Sequence, residues 1–146
     1  MKKNSFFLLI SFFLIASYSF ASNFKREVII VVDGISTGRY LAPLFLESGY
    51  DVVHVSSNLG KKLNVPFKEQ DYFKAFEESD MLVEEIKSLN KIVKAVVPGC
   101  ESGIDLAEKL QRDFNLPRNK LDPSHSTRHK FYMQERLRQA GLPTIN

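Results

Sequence analysis

The chain has 146 residues, 44% hydrophobic and 25% charged, which suits one domain with one core and excludes a disordered chain. Its net charge of +3 comes from acidic and basic residues that interleave, so it carries no nucleic-acid footprint. The single cysteine, Cys100, excludes an internal disulfide.

The N-terminus reads as a secretory signal. Lys2 and Lys3 give a positive start, and Phe6 to Phe20 is an apolar run broken only by Ser11, Ser17, Tyr18 and Ser19. Ser19-Phe20-Ala21 supplies small residues where a signal peptidase reads, so the mature chain is expected to start at Ser22. Removing Lys2 and Lys3 lowers the net charge from +3 to +1. The run falls short of the about 20 apolar residues a membrane span needs. The expected location is secreted or periplasmic. An unused leader would leave the chain cytoplasmic, and an uncleaved one is its one route to a membrane.

Val28 to Val32 is a continuous β-branched run, the pattern of a strand buried on both faces of a parallel sheet. Asp33-Gly34 ends it, and Ser36 or Thr37 can cap the helix that follows. Leu41, Leu44 and Phe45 make a helical stripe, with Pro43 predicting a late start or a kink. Gly49 supplies a left-handed stop. Asp51 to Val55 is a second strand. Residues 57–78 are ambiguous: Gly60 and Pro66 indicate a loop, while Tyr72, Phe73 and Phe76 fit either a short helix or an aromatic strand.

Asp80 opens a helix with Leu82, Ile86 and Leu89 on one face, and Asn90 can stop it. Ile92 to Val97 is the next strand, broken by Pro98-Gly99. Ser102 and Asp105 resemble a capping box for a helix lined by Leu106, Ala107, Leu110 and Phe114. A loop follows to Pro123. The last helix is expected from about Ser126 to Ala140, with Met133, Leu137 and Ala140 as its apolar stripe and Gly141-Leu142-Pro143 as its stop. Strands alternating with helices predict a three-layer α/β/α domain with a short parallel sheet, plus a C-terminal helix. The expected divisions are a signal at 1–21, the α/β domain at 22–120, and a linker with helix at 121–146.

Three places carry candidate chemistry. The turn from Asp33 to Arg39 lies where Rossmann folds cradle phosphate, but it has neither dinucleotide nor P-loop spacing. Anion or substrate binding there, through Ser36, stands beside a plain capped turn. Glu101, in the Pro-Gly loop after a strand, either reaches a ligand or complements the helix dipole. Arg128-His129-Lys130 places three cationic residues at a positive helix end, which an anion would relieve. Cys100 lacks an evident base, and His54, His125 and His129 have no metal-ligand spacing.

Three segments together resemble the ATP-grasp ligases, nearest to their amino-acid-ligase branch. They are Val96-Val97-Pro98-Gly99-Cys100-Glu101-Ser102-Gly103 with Ile104 to Ala107, Arg128 to Glu135, and Leu137 to Pro143. The first turn, Asp33-Gly34 through Gly38-Arg39, is also similar, and the likeness covers residues 28–145. It implies a Rossmann-like pre-ATP-grasp domain of an ATP-dependent carboxylate–amine ligase, with Lys130 and Arg128 toward ATP phosphate. Glu101 and Ser36 are then the substrate-binding candidates, with no catalytic residue in this chain. The family's Gly-rich phosphate loop, second lysine, adenine hinge and acidic Mg²⁺ ligands have no counterpart here. The expectation is therefore that this chain binds no Mg²⁺, needs an ATP-grasp domain on a second chain or a missing part, and is inactive alone. Two alternatives are an exported stand-alone α/β module that binds a small ligand or partner, and an enzyme working through Cys100 or Glu101.

Overall fold

A computed structural model of the chain describes residues 26–119 and 129–145. The expected signal segment, its cleavage point, Arg128 and His125 lie outside the described residues. In chain order the elements are β1 (Glu27–Val32), a 3₁₀ turn (Ser36–Tyr40), α1 (Leu41–Glu47), β2 (Asp51–Ser56) and α2 (Asn58–Lys62). Next come a 3₁₀ turn (Glu69–Asp71), β3 (Lys74–Glu77), α3 (Leu82–Ser88) and β4 (Ile92–Pro98). A 3₁₀ turn (Glu101–Gly103), α4 (Ile104–Asp113) and α5 (Lys130–Gln139) complete them.

The strands form one parallel sheet in the order β3-β2-β1-β4. β1 is central, which is why Val28 to Val32 are all buried. One face carries the larger core, in which Val28, Ile30, Val32, Val53, Val55 and Val96 meet Leu82 and Ile86 of α3 and Leu106, Ala107 and Leu110 of α4. On the other face Val31 and Val52 pack against Ala42, Leu41 and Phe45 of α1, joined by Tyr72. The expected three-layer α/β fold is what forms, and its strand order is Rossmann-like.

Several local expectations change. The ambiguous stretch contains both a short helix, α2, and an edge strand, β3, which pairs Ala75 with His54 and Phe76 with Val55. β3 has only four residues, with Ala75 and Phe76 partly buried between exposed Lys74 and Glu77, too little signal for a period to register. The strand at 92–98 is therefore the fourth strand rather than the third. In α1, Leu44 is 57% exposed and Ala42 takes the buried place. At about 100° per residue, Leu41, Ala42 and Phe45 centre the buried stripe and Leu44 falls about 110° away. Pro43 lies in the first turn of α1, where its missing N–H costs nothing, and the helix starts late behind its 3₁₀ lead-in.

Neither Ser36 nor Thr37 caps α1, and Ser102 does not cap α4. The Ser102 hydroxyl is drawn away by a buried carboxylate, Asp33. Asp80 lies in the turn ahead of α3, which begins at Leu82. Gly49 and Asn90 do stop their helices at positive φ, 85° and 53°. Gly141, at φ 70°, ends α5, and the Leu142 N–H reaches back to the Leu137 carbonyl at 2.9 Å. α5 has no buried residue; its expected stripe residue Met133 is 38% exposed, beside exposed Phe131 and Tyr132.

Candidate functional site

Ligands of open α/β sheets bind beyond the carboxyl ends of the strands, where the strand order reverses. Here that point lies between β1 and β4, and it is closed. A Cβ on Gly38 would overlap the Gly99 backbone, and one on Gly99 would sit 2.5 Å from the Asp33 carbonyl oxygen. The turns after β1 and β4 thus touch backbone to backbone. Both glycines are needed for that contact.

Asp33 organises this end of the sheet. It is 1% exposed, and its backbone sits at φ 53°. One carboxylate oxygen accepts the Ser57 N–H at 2.7 Å; the other accepts the Ser57 and Ser102 hydroxyls, each at 2.6 Å. Ser57 in turn caps α2 by accepting the Gly60 N–H at 2.8 Å. The loops after β1, β2 and β4 are therefore tied through one carboxylate, and α2 is drawn so close that Gly60 tolerates no Cβ against Asp33. Such charge-assisted bonds are the strong ones, and here both oxygens are occupied.

His54, in β2, is the next buried polar group. Its Nε2 accepts the Gly34 N–H at 3.1 Å, so the neutral ring carries its proton on Nδ1, 3.5 Å from the Ser56 hydroxyl. Phe67 stacks on the ring at 3.7 Å and Tyr72 meets it edge-on at 5.0 Å. Burial pushes the imidazole pKa down to about 4, only partly offset by the charge of Asp33. The ring is therefore a neutral acceptor that fixes the Asp33-Gly34 turn. Tyr72 is pushed up to about 12, by burial first and by Asp71 second. Its hydroxyl is buried without a hydrogen-bond partner.

Two open clefts lie on the β1–β2 side of this end. The first, of about 400 Å³, is lined by Ile35, Ser56, Lys61, Asn64 and Phe67, with Asp33 and His54 at its base. The second, of about 510 Å³, is lined by Ser36, Thr37, Arg39 and Tyr40. Val65 and Pro66 border both and form the ridge between them. Lys61 is held by Glu77 at 3.0 Å. Arg39 lies over the Tyr40 ring at 5.1 Å and makes no ion pair among the described residues.

Of the residues singled out in the sequence, Ser36 lines the second cleft. Glu101 is exposed in the 3₁₀ turn before α4 and lines neither cleft. Lys130 is exposed at the first position of α5 and lines neither. Among the described residues no group of three or more His, Cys, Asp or Glu could hold a metal ion. No helix among them is long and apolar enough to cross a membrane. Sequence reasoning included Arg39 only as the end of the candidate turn, and it passed over Lys61, Asn64 and the Val65-Pro66 ridge. The available signal was an asparagine, which tolerates left-handed backbone, one residue before a Val-Pro pair in a stretch with no period of its own.

The chain is 28% identical over 131 residues to dapdiamide A synthase of Enterobacter agglomerans, a match covering 84% of this chain and 30% of that protein. The chain thus spans less than a third of that relative's length. No family model matches, and no solved structure matches.

Proposed function

We propose that this chain is an α/β unit of an ATP-dependent carboxylate–amine ligase of the ATP-grasp type, corresponding to the pre-ATP-grasp domain. The observation that carries the reading is the similarity to dapdiamide A synthase, a ligase, over 84% of this chain. The ordered Pro98-Gly99, Lys130 and Gly141-Leu142-Pro143 segments, which resemble the family, support it. So does the Rossmann-like sheet with its open clefts at the carboxyl end.

In that reaction a carboxylate is activated as an acyl phosphate and then attacked by an amine. Phosphoryl transfer needs a metal-bridged phosphate chain, which an ATP-grasp domain would supply in another chain or segment. This chain's share is to shape the carboxyl-end clefts and to bring Lys130 toward ATP phosphate, where a compact ammonium neutralises charge. Arg128 falls outside the described residues, and its part in phosphate binding is proposed on the resemblance alone. Export by the N-terminal signal is likewise proposed on the sequence of residues 1–21.

The coding DNA beyond the Asn146 codon tests the reading. It is expected to encode a Gly-rich loop, a lysine and paired acidic Mg²⁺ ligands. An unrelated sequence there, with no separate gene for such a domain, would sink the proposal.

A further inference from the structure

Five non-glycine residues among those described have positive φ. Asn64, Asn90 and Asn115 follow helices α2, α3 and α4, where left-handed asparagine is an ordinary stop. Asp33 and Ser36 end no helix, and both line the clefts. The conformation of Asp33 is accounted for by its buried hydrogen bonds. Ser36, at φ 52°, caps nothing and has an exposed side chain. A serine held left-handed is strained, and such strain gathers at ligand-binding positions.

The charge of the clefts is one-sided. Asp33 lines the first cleft, with both its oxygens consumed by Ser57 and Ser102, and the second cleft has no carboxylate in its lining. Lys61 is neutralised by Glu77. Among the described residues Arg39 has no acidic partner; the Tyr40 hydroxyl takes one of its five N–H donors, at 3.2 Å. Beside it stand the Ser36 and Thr37 side chains, and opposite them the apolar ridge of Val65 and Pro66. Each cleft is in the range that holds a small molecule, roughly 300–1,000 Å³.

We propose that the cleft between Arg39 and the Val65-Pro66 ridge binds one small organic carboxylate, with its carboxylate on Arg39 and the Ser36 and Thr37 hydroxyls and its apolar body across the ridge. A planar guanidinium suits a planar carboxylate, which it can grip with two parallel N–H donors. Arg39 is the specificity-determining residue for that group. The proposal rests on the ligase reading only in choosing a carboxylate over another anion.

The test uses the full chain without nucleotide, so its failure leaves the ligase reading standing. Isovalerate, hydrocinnamate and L-phenylalanine are titrated, each against its primary amide, with phenyl phosphate as a further arm, and binding is followed by ligand-observed NMR. At least one carboxylate is expected to bind at millimolar concentration or below, at least tenfold tighter than its amide and than phenyl phosphate. Arg39→Met should weaken that binding at least tenfold, and Arg112→Met should leave it unchanged. Arg39 is exposed and Arg112 is half-buried, and equal thermal midpoints verify that the variants fold. Carboxylates binding no better than their amides, binding indifferent to Arg39→Met, or tighter binding of phenyl phosphate would each overturn the proposal.

Discussion

Asp33 joins three loops, so its side chain matters more than its place at a strand end indicates. In Asp33→Ala the buried Ser57 N–H loses its partner and two hydroxyls must find others. Such a loss costs about 2–4 kcal/mol. Asp33→Asn keeps one acceptor oxygen and should cost clearly less. Urea unfolding of the two variants checks the order; equal losses would deny the carboxylate its role as the tie. His54 gives a pH signature. Its folded pKa, about 4, lies below the ordinary 6.5, so between those values the unfolded chain binds a proton that the folded chain refuses. The stability His54 contributes is complete above pH 6.5 and is lost as pH falls toward 4, on the order of 2–3 kcal/mol across the window. His54→Gln preserves an acceptor for the Gly34 N–H and does not titrate. The difference in urea midpoint between wild type and variant should shrink from pH 7.5 to pH 4.5. A constant difference would mean that the ring is not held neutral by burial. None of this was legible in the sequence, where Asp33 read as a turn residue and His54 as one of three unrelated histidines. Both roles depend on residues 20 or more positions away, at Ser57, Ser102 and Gly34.

At the level of elements, the sequence was readable wherever periodicity was strong. The β-branched run of β1, the Val-rich β2 and the stripes of α3 and α4 fall where their patterns place them, because burial on a sheet enforces those patterns. The stretch from Ser57 to Glu78 was not readable. α2 has five residues and β3 four, and their positions follow from contacts with Asp33 and β2 rather than from a repeat. The cleft ridge lies in this unreadable stretch, and so most of the site was missed with it. Gly38 and Gly99 read in the sequence as turn residues after their strands, and in the structure they serve backbone contact. Gly38→Ala and Gly99→Ala should therefore each cost about 3 kcal/mol, since the Cβ meets backbone that cannot step aside. Gly49→Ala has open space and only its left-handed φ to oppose it, about 1 kcal/mol. Thermal midpoints of the three variants should separate into two large shifts and one small one.

For the whole molecule, the buried hydrophobic residues among those described lie in the sheet, in α1, α3 and α4 and, with Ile35, in the turn after β1, and α5 contributes none. Deleting residues 129–146 should leave the thermal midpoint within about 2 °C of the intact chain, because no core contact is lost. A drop of about 10 °C would mean that α5 is part of the core. The ligase reading follows from the similarity and from the segments that resemble ATP-grasp enzymes, not from the clefts alone. It is tested most directly by exchange. The segment of dapdiamide A synthase that matches this chain is replaced by this chain's own residues, and ADP release is measured with carboxylate and amine present. Cooperative unfolding establishes that the chimera folds, and a variant of the synthase lacking the segment sets the background. The expected result is ADP release above that background that requires both carboxylate and amine. A folded chimera that releases no more ADP than the deletion variant would contradict the assignment of this chain as an α/β unit of such a ligase.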